Sequence, residues 1–127
     1  MIIYPSWKKD ELKDTEGRIL IEIDPKMSFG TGHNETTQLV LELMSDNIES
    51  DDEKMLDFGT GTGILTIAGI KLGVNNAVAI DIDEDSIQNA SEYFQRNSVH
   101  ERVKLYRSNI SDIKEDSFDV LCANIIR

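Results

Sequence analysis

Cysteine, positive charge and long apolar runs are all scarce in this sequence. The one cysteine, Cys122, has no partner for an internal disulfide and lies in the apolar run Val120 to Ala123. We therefore expect a buried structural thiol rather than a nucleophile. No apolar run approaches the ~20 residues of a membrane helix, and the start lacks the pattern of a signal peptide. These absences predict a soluble, cytoplasmic protein.

Basic residues are outnumbered by acidic ones. The chain has 13 Lys and Arg against 24 Asp and Glu among 127 residues, and its net charge is -11. Because no basic cluster gathers on one segment, a phosphate backbone would be repelled and direct nucleic-acid binding is not expected. An acidic surface suits a basic protein partner, although many acidic proteins owe this composition to solubility alone.

The apolar pattern switches along the chain between the two-residue repeat of strands and the repeat of helices. Strands are predicted at 18–24, 54–58, 76–82, 103–107 and 118–123. Helices are predicted at about 34–47, 62–72 and 83–97. Because strands alternate with helices and two strands are apolar throughout, we predict an α/β fold with a doubly wound, mostly parallel sheet covered on both faces.

The periodicity also predicts which helix residues are buried and how the helices end. The core stripe of the first helix is predicted to be Leu39, Val40, Leu43, Met44 and Ile48, with Asn34 or Thr31 as the amino-terminal cap. The inner face of the third helix is predicted to be Ile87, Ala90, Ser91 and Phe94, with Asp83 as the cap. Gly73 stands where a glycine that ends the second helix belongs.

Three glycines at alternate positions, Gly59, Gly61 and Gly63, follow the buried strand 54–58. Open α/β sheets bind ligands beyond the carboxyl ends of their strands. Glycine there allows positive φ angles and a close approach, while the next helix offers N–H groups. A dinucleotide fingerprint, G-x-G-x-x-G, would need glycine where Ile64 stands, and no Gly-Lys-Ser/Thr follows for a Walker phosphate loop. Both of those loops are therefore disfavoured.

Two carboxylates near this loop indicate the charge of its ligand. Asp57, two residues before the first glycine, would repel a pyrophosphate and attract an ammonium or sulfonium group. Asp81 ends the next strand, where an acid can accept hydrogen bonds from both ribose hydroxyls. Ile82 beside it could cover one face of an adenine. The pattern favours a cationic cofactor that carries a ribose.

Asp57, the three glycines and Asp81 resemble the first motif and the ribose acid of the class I S-adenosylmethionine-dependent methyltransferases. The segment 23–37, IDPKMSFGTGHNETT, is similar to the pre-core signature of the ribosomal protein L-eleven methyltransferase family, I-D-P-G-M-A-F-G-T-G-H-H-E-T-T. It departs from that signature at Lys26, Ser28 and Asn34. The stretches PSW at 5–7 and ANII at 123–126 resemble the family's P-x-W and A-N-I-L segments.

The resemblance implies a Rossmann-like methyltransferase core with S-adenosyl-L-methionine as cofactor and a ribosomal protein lysine or N-terminal amine as substrate. It implies cofactor contacts at Thr37, Gly59, Asp81 and Asn124. The residues themselves add Asp57, Gly61, Gly63 and Ile82 to these contacts. They also suggest that Phe29, Gly30 and Thr31 close over the methionine end, although Phe29 could equally be core. Asn109 could accept a bond from the adenine amino group, although a turn asparagine is the commoner explanation.

Methyl transfer needs a neutral amine about 3 Å from the methyl carbon, so orientation contributes most of the rate. Asn124 could hold that amine through its side-chain oxygen, which makes it the candidate catalytic residue. The stretch NIIR at 124–127 lacks an aromatic to stack on a flipped base, which argues against a nucleobase substrate. His33 is interpreted as a cap or packing residue, and no metal site is expected because no His, Cys and acid cluster has ligand spacing.

The chain is interpreted as one domain, 1–127, in which 1–33 forms the entry segment and the pre-core motif. The family has a separate recognition domain upstream and about three further strands, in the order 3-2-1-4-5-7-6. We therefore expect a core truncated after its fourth strand, and the apolar edge of that strand predicts either a longer enzyme or self-association. A cofactor-binding module without catalysis and a methyltransferase with another substrate remain alternatives, while Ile64 disfavours a dinucleotide-binding dehydrogenase half.

Overall fold

The computed structural model describes residues 1–24, 35–49, 54–114 and 117–123. The strands are β1 (Ile2–Tyr4), β2 (Leu20–Glu22), β3 (Lys54–Phe58), β4 (Asn76–Asp81), β5 (Val103–Arg107) and β6 (Val120–Ala123). The helices are α1 (Glu35–Asn47), α2 (Ile64–Leu72) and α3 (Glu84–Arg96). Every predicted strand and helix is present within two residues of its predicted bounds. The strand β1 was not predicted.

The main sheet has four parallel strands in the order β5-β4-β3-β6. This order confirms the predicted 3-2-1-4 arrangement of the core strands. Asp57 in β3 lies beside Ala79 of β4 on one side and Cys122 of β6 on the other. In the part of the chain that the structure describes, β6 pairs with β3 alone, and its Leu121 is 64% exposed. The predicted apolar edge is therefore present.

The helices lie on one face of this sheet. All three contribute to one buried cluster with residues such as Met55 and Ala79. The opposite face carries Leu56, Val78 and Ile80, against which Phe58 packs together with Ile113 and Phe118 of the β5–β6 connection. The described part of that connection contains a single 3₁₀ turn rather than a helix, at Ile110–Asp112. The sequence predicts helices on both faces of the sheet. In the described ranges, helices cover one face only.

The predicted core stripe of α1 is wrong at two positions. Leu39 and Leu43 are 57% and 54% exposed, whereas Leu41 and Met44 are buried. Leu41 faces the side of the helix where Ile3 of β1 lies. Apolar residues lie on more than one face of α1. The elements that pack against the helix, and not its periodicity, therefore determine which of these residues are buried. The predicted caps of this helix, at 31 and 34, lie outside the described residues.

The parallel ribbon of β1 and β2 contributes Ile21 to the buried cluster of the helices and is held by the end of α3. The side-chain oxygen of Asn97 accepts a bond from the Glu22 N–H at 2.8 Å, and its amide group donates to the Glu22 carbonyl at 3.0 Å. The hydroxyl of Tyr93 accepts from the Asp24 N–H at 3.3 Å, and Arg96 donates to the Asp24 carboxylate at 3.0 Å. Side chains of α3 therefore fix the outer edge of β2.

The ends of the helices follow their predicted chemistry. The carboxylate of Asp83 accepts from the N–H of Asp85 at 3.1 Å, which confirms the cap of α3. Gly73 follows α2 with a φ of 130°, as predicted. The inner face of α3 is centred on Ala90 and Phe94, with the unpredicted Tyr93 also buried. None of the described helices is long and apolar enough to cross a membrane.

Candidate functional site

The glycine loop bends over the carboxyl end of β4. Gly59, Gly61 and Gly63 have φ angles of 76°, 57° and 83°, a region that residues with a Cβ rarely adopt. The N–H groups of Gly59 and Thr60 both donate to the carbonyl of Ile80, at 2.9 and 3.0 Å. The loop is therefore tied to the neighbouring strand by its own backbone.

Asp81 fastens the loop from the end of β4. One of its carboxylate oxygens accepts from the Gly61 N–H at 3.0 Å, and the other accepts from the Asp83 N–H at 3.0 Å. An amide in this position would turn its NH₂ group toward one of these donors, so the arrangement calls for a carboxylate. A carboxylate has about four acceptor positions, and two remain for a ligand. The side chain is half-buried at the rim of the sheet.

Asp57 lies beneath the loop and is fully buried. Its Oδ2 accepts from the hydroxyls of Thr60 at 2.9 Å and Thr66 at 2.7 Å, whereas its Oδ1 has no partner among the described residues. Burial raises the pKa of this carboxyl, the two hydroxyls lower it, and the charge of Asp81 raises it again, with a net shift upward. A buried oxygen without a donor is costly, so it marks a place where a bound group or water would be stabilised.

The need for glycine at position 63 has a packing explanation. A Cβ added to Gly63 would lie 2.4 Å from Cε1 and 2.9 Å from Cζ of Phe94, in addition to the strain of its positive φ. The three alternating glycines predict a close approach by a ligand. Because Phe94 of α3 occupies this space, Gly63 gives no independent support to that prediction.

The adenine side of the predicted site lies at the ends of β4 and β5. Ile82 is 64% exposed, and its carbonyl accepts from the Arg107 guanidinium at 3.0 Å. The N–H of Ser108 donates to the Asp81 carbonyl at 3.0 Å, which places Asn109 one residue beyond this link. Asn109 is exposed and, within the described ranges, its side chain makes no capping bond to the turn that follows. The structure thus brings Asp81, Ile82 and Asn109 to one edge.

Thr37 is 2% exposed in the first turn of α1. The other predicted site residues, Phe29, Gly30, Thr31 and Asn124, lie outside the described residues, as does His33. The part that the structure describes contains no group of His, Cys, Asp and Glu able to hold a metal ion. The geometry therefore bears on the predicted cofactor side of the site and not on the methyl-accepting side.

Two functional candidates were missed by sequence reasoning, namely Thr60 and Thr66. The signal for Thr66 was present, since it is a polar residue within the apolar stretch ILTIAGI of α2. Cys122, on the strand beside Asp57, is the buried thiol that was predicted. Burial, and next the charge of Asp57, raise the pKa of Cys122 to about 12, which disfavours the reactive thiolate at neutral pH.

Comparison with known proteins places the chain in a single family. The family model described as Ribosomal protein L11 methyltransferase (PrmA) matches residues 1–127. Proteins named ribosomal protein L11 methyltransferase from Alkaliphilus oremlandii and Acetivibrio thermocellus are each 40% identical over 126 residues. The matches cover 99% of this chain and 39% of each relative. The chain therefore spans about two fifths of the length of these relatives.

Solved structures agree with this family and with the fold. The ribosomal protein L11 methylase from Lactobacillus delbrueckii subsp. bulgaricus is 30% identical, with a TM-score of 0.81 over 97% of this chain and 61% of that one. A putative RNA methyltransferase from Pyrococcus horikoshii, at 18% identity, has a TM-score of 0.63 over 80% of this chain and 51% of that one, and shows the fold alone. The predicted Rossmann-like methyltransferase core is confirmed.

Proposed function

Because the chain belongs to the ribosomal protein L11 methyltransferase family, we propose that it binds S-adenosylmethionine and that the protein carrying it methylates an amine of a ribosomal protein. The observation that carries this proposal is the bond between Asp81 and Gly61, which joins the acid predicted to bind a ribose to the glycine loop at the carboxyl ends of β4 and β3. The names of the matched relatives support the reaction and the substrate. A ribosomal protein substrate also implies a cytoplasmic location.

The donors of the loop favour this cofactor over a nucleotide phosphate. The N–H groups of Gly59 and Thr60 bond to the end of β4, that of Gly61 bonds to Asp81, and that of Gly63 bonds to the Thr60 carbonyl at 2.8 Å. A phosphate-binding loop needs such groups to point at the ligand. With these four engaged and Asp57 below them, the site suits a cation better than an anion.

We assign the following roles to the residues of the cofactor side. The two free acceptor positions of the Asp81 carboxylate would receive the ribose hydroxyls. Ile82 would cover one face of the adenine, and the Asn109 side-chain oxygen would accept from its amino group. Thr37, Gly59, Gly61 and Gly63 would surround the methionine end. Phe29, Gly30 and Thr31, which lie outside the described residues, would close that end.

The methyl-accepting side rests on Asn124 and on charge. When bound, S-adenosylmethionine supplies a methyl group on a sulfonium, which a neutral amine can attack. Asn124, which also lies outside the described residues, would orient that amine through its side-chain oxygen. The net charge of -11 would draw a basic ribosomal protein to the enzyme and would repel nucleic acid.

The test is transfer of labelled methyl groups from S-adenosylmethionine to purified ribosomal proteins by the natural polypeptide that carries this sequence. We expect the label on one basic ribosomal protein, with loss of transfer in Asp81→Asn. The matched control is Asp85→Asn, an exposed acid in the first turn of α3 that should leave transfer unchanged. Equal transfer by both variants would contradict the role of Asp81.

Two other results would select the alternatives. Cofactor binding without transfer to any protein, peptide or small amine would indicate a cofactor-binding module. Transfer to a small amine or a non-ribosomal protein would keep the reaction and replace the substrate. Absence of cofactor binding at millimolar concentration would contradict every form of the proposal.

A further inference from the structure

Thr66 is a hydroxyl in a helix whose neighbours are apolar. It is fully buried in α2, and the flanking residues Leu65 and Ile67 belong to the core. Threonine inside a helix usually returns its hydroxyl to a carbonyl one turn earlier. Here the hydroxyl donates to the Asp57 carboxylate at 2.7 Å, nine residues back in the sequence. The helix therefore contributes a polar contact directly to the floor of the cofactor site.

The two hydroxyls that meet at Asp57 come from different elements. Thr60 belongs to the glycine loop and Thr66 to the helix, and both donate to the same carboxylate oxygen. This leaves Oδ1 buried and without a donor in the described part of the chain. Two donors on one oxygen fix the rotation of the carboxylate, and they stabilise its charge where solvent cannot.

The surroundings of Asp57 oppose its ionisation. Asp81 of β4 adds a second negative charge nearby, and the Cys122 thiol of β6 stays neutral. Burial disfavours the charged form most. The Thr66 hydroxyl is the contact that favours the charged form most, followed by the Thr60 hydroxyl and the main chain of Thr66. The charge beneath the loop therefore depends mainly on these hydroxyls.

We propose that Thr66 is a positioning residue of the cofactor site: its hydroxyl orients the Asp57 carboxylate beneath the glycine loop, favours its charged form and thereby sets the affinity for the cationic cofactor. This inference rests on the proposed function, since it concerns the same site. Thr66 is fully buried and its hydroxyl is turned to Asp57, so Thr66 would act through Asp57 rather than through a contact of its own with the cofactor.

The test compares Thr66→Val, which keeps the shape and removes the hydroxyl, with Thr66→Ser, which keeps the hydroxyl. Binding of S-adenosylmethionine to the natural polypeptide is measured by calorimetry across a pH series. We expect the affinity of Thr66→Val near neutral pH to be roughly tenfold weaker than that of wild type, because about one charge-assisted hydrogen bond is lost. The affinity of Thr66→Ser should be close to that of wild type. Thr66→Ala against Thr66→Ser repeats the comparison if valine prevents folding.

The pH series separates positioning from a structural contact. Without the hydroxyl the pKa of Asp57 rises further, so its carboxylate is protonated at a higher pH. As the pH is lowered, Thr66→Val should therefore lose affinity for S-adenosylmethionine at a higher pH than wild type does. The carbon-13 resonance of the Asp57 carboxyl, titrated without cofactor, should move in the same direction. If folded Thr66→Val leaves both the pH dependence of affinity and the titration of the Asp57 carboxyl unchanged, the inference is overturned and the proposed function stays intact. Wild type that fails to bind the cofactor would instead overturn the proposed function.

Discussion

Substitution of Gly63 by alanine tests the packing between the glycine loop and α3. The new methyl group would meet the ring of Phe94, with Cβ 2.4 Å from Cε1, well inside the contact distance of two carbons. The residue would also have to keep a φ of 83°. Both effects oppose folding, and their sizes can be separated.

The strain and the clash have different magnitudes. A residue with a Cβ in the left-handed region costs roughly 1–2 kcal/mol, and overpacking a core costs about 1–3 kcal/mol. Gly63→Ala should therefore lower the free energy of unfolding by about 2–5 kcal/mol. Gly17 offers a matched control, because its φ is 74° and no described atom lies within 4 Å of an added Cβ. Gly17→Ala should show the strain alone, about 1–2 kcal/mol.

The assay is urea unfolding of the natural polypeptide, followed by circular dichroism, for both alanine variants. The double variant Gly63→Ala with Phe94→Leu removes the ring atoms that the methyl group meets. We expect the effect of Gly63→Ala to shrink by about 1–3 kcal/mol in the Phe94→Leu background. Equal destabilisation by Gly63→Ala and Gly17→Ala, or an unchanged effect in that background, would refute the packing explanation.

Three further predictions concern the ribbon and the sheet edge. Asn97→Ala should lower the free energy of unfolding by about 1–3 kcal/mol, because partly buried main-chain groups of Glu22 lose their partners. Urea titration checks this against Asn75→Ala at an exposed position, which should stay within about 0.5 kcal/mol of wild type. Burial raises the pKa of Asp24, but bonds from the Ser6 N–H and Arg96 lower it overall. The stabilisation of the folded state by Asp24 is therefore complete above the pKa of the unfolded state, and it is lost as the pH falls through the pKa of the folded state. In that pH range, the stability of Asp24→Asn should fall less steeply with decreasing pH than that of wild type. Identical acid-unfolding curves for the two proteins would contradict this role of Asp24. Leu121→Lys should reduce self-association of the 127-residue chain in sedimentation, and a strictly monomeric wild type would count against the edge prediction.

The parts of the fold that local pattern determines were predictable. The bounds of β3 and β5 are those expected, because each strand is a short run whose ends are marked by turns or loops. The spacing of Gly59, Gly61 and Gly63 identified the loop, and the position of Asp81 at a strand end placed it beside that loop.

The remaining features depend on contacts between distant segments. The strand β1 has three residues and exists because it pairs with β2, sixteen residues further on, and packs on the helix layer. Leu41 is buried in place of Leu43 because that ribbon packs on its side of the helix. The periodicity of α1 carries no information about this packing. Likewise the partnership of Thr66 with Asp57 requires α2 to fold back along β3, so no spacing rule reveals it.

The central claim is that the glycine loop and Asp81 bind S-adenosylmethionine, and calorimetric titration of the natural polypeptide with this cofactor tests it most directly. We predict saturable one-to-one binding by wild type, at least about tenfold weaker binding by folded Asp81→Ala, and a change within about twofold in the exposed control Asp85→Ala. No binding by wild type at millimolar cofactor, or equal affinity of wild type and Asp81→Ala, would contradict the claim.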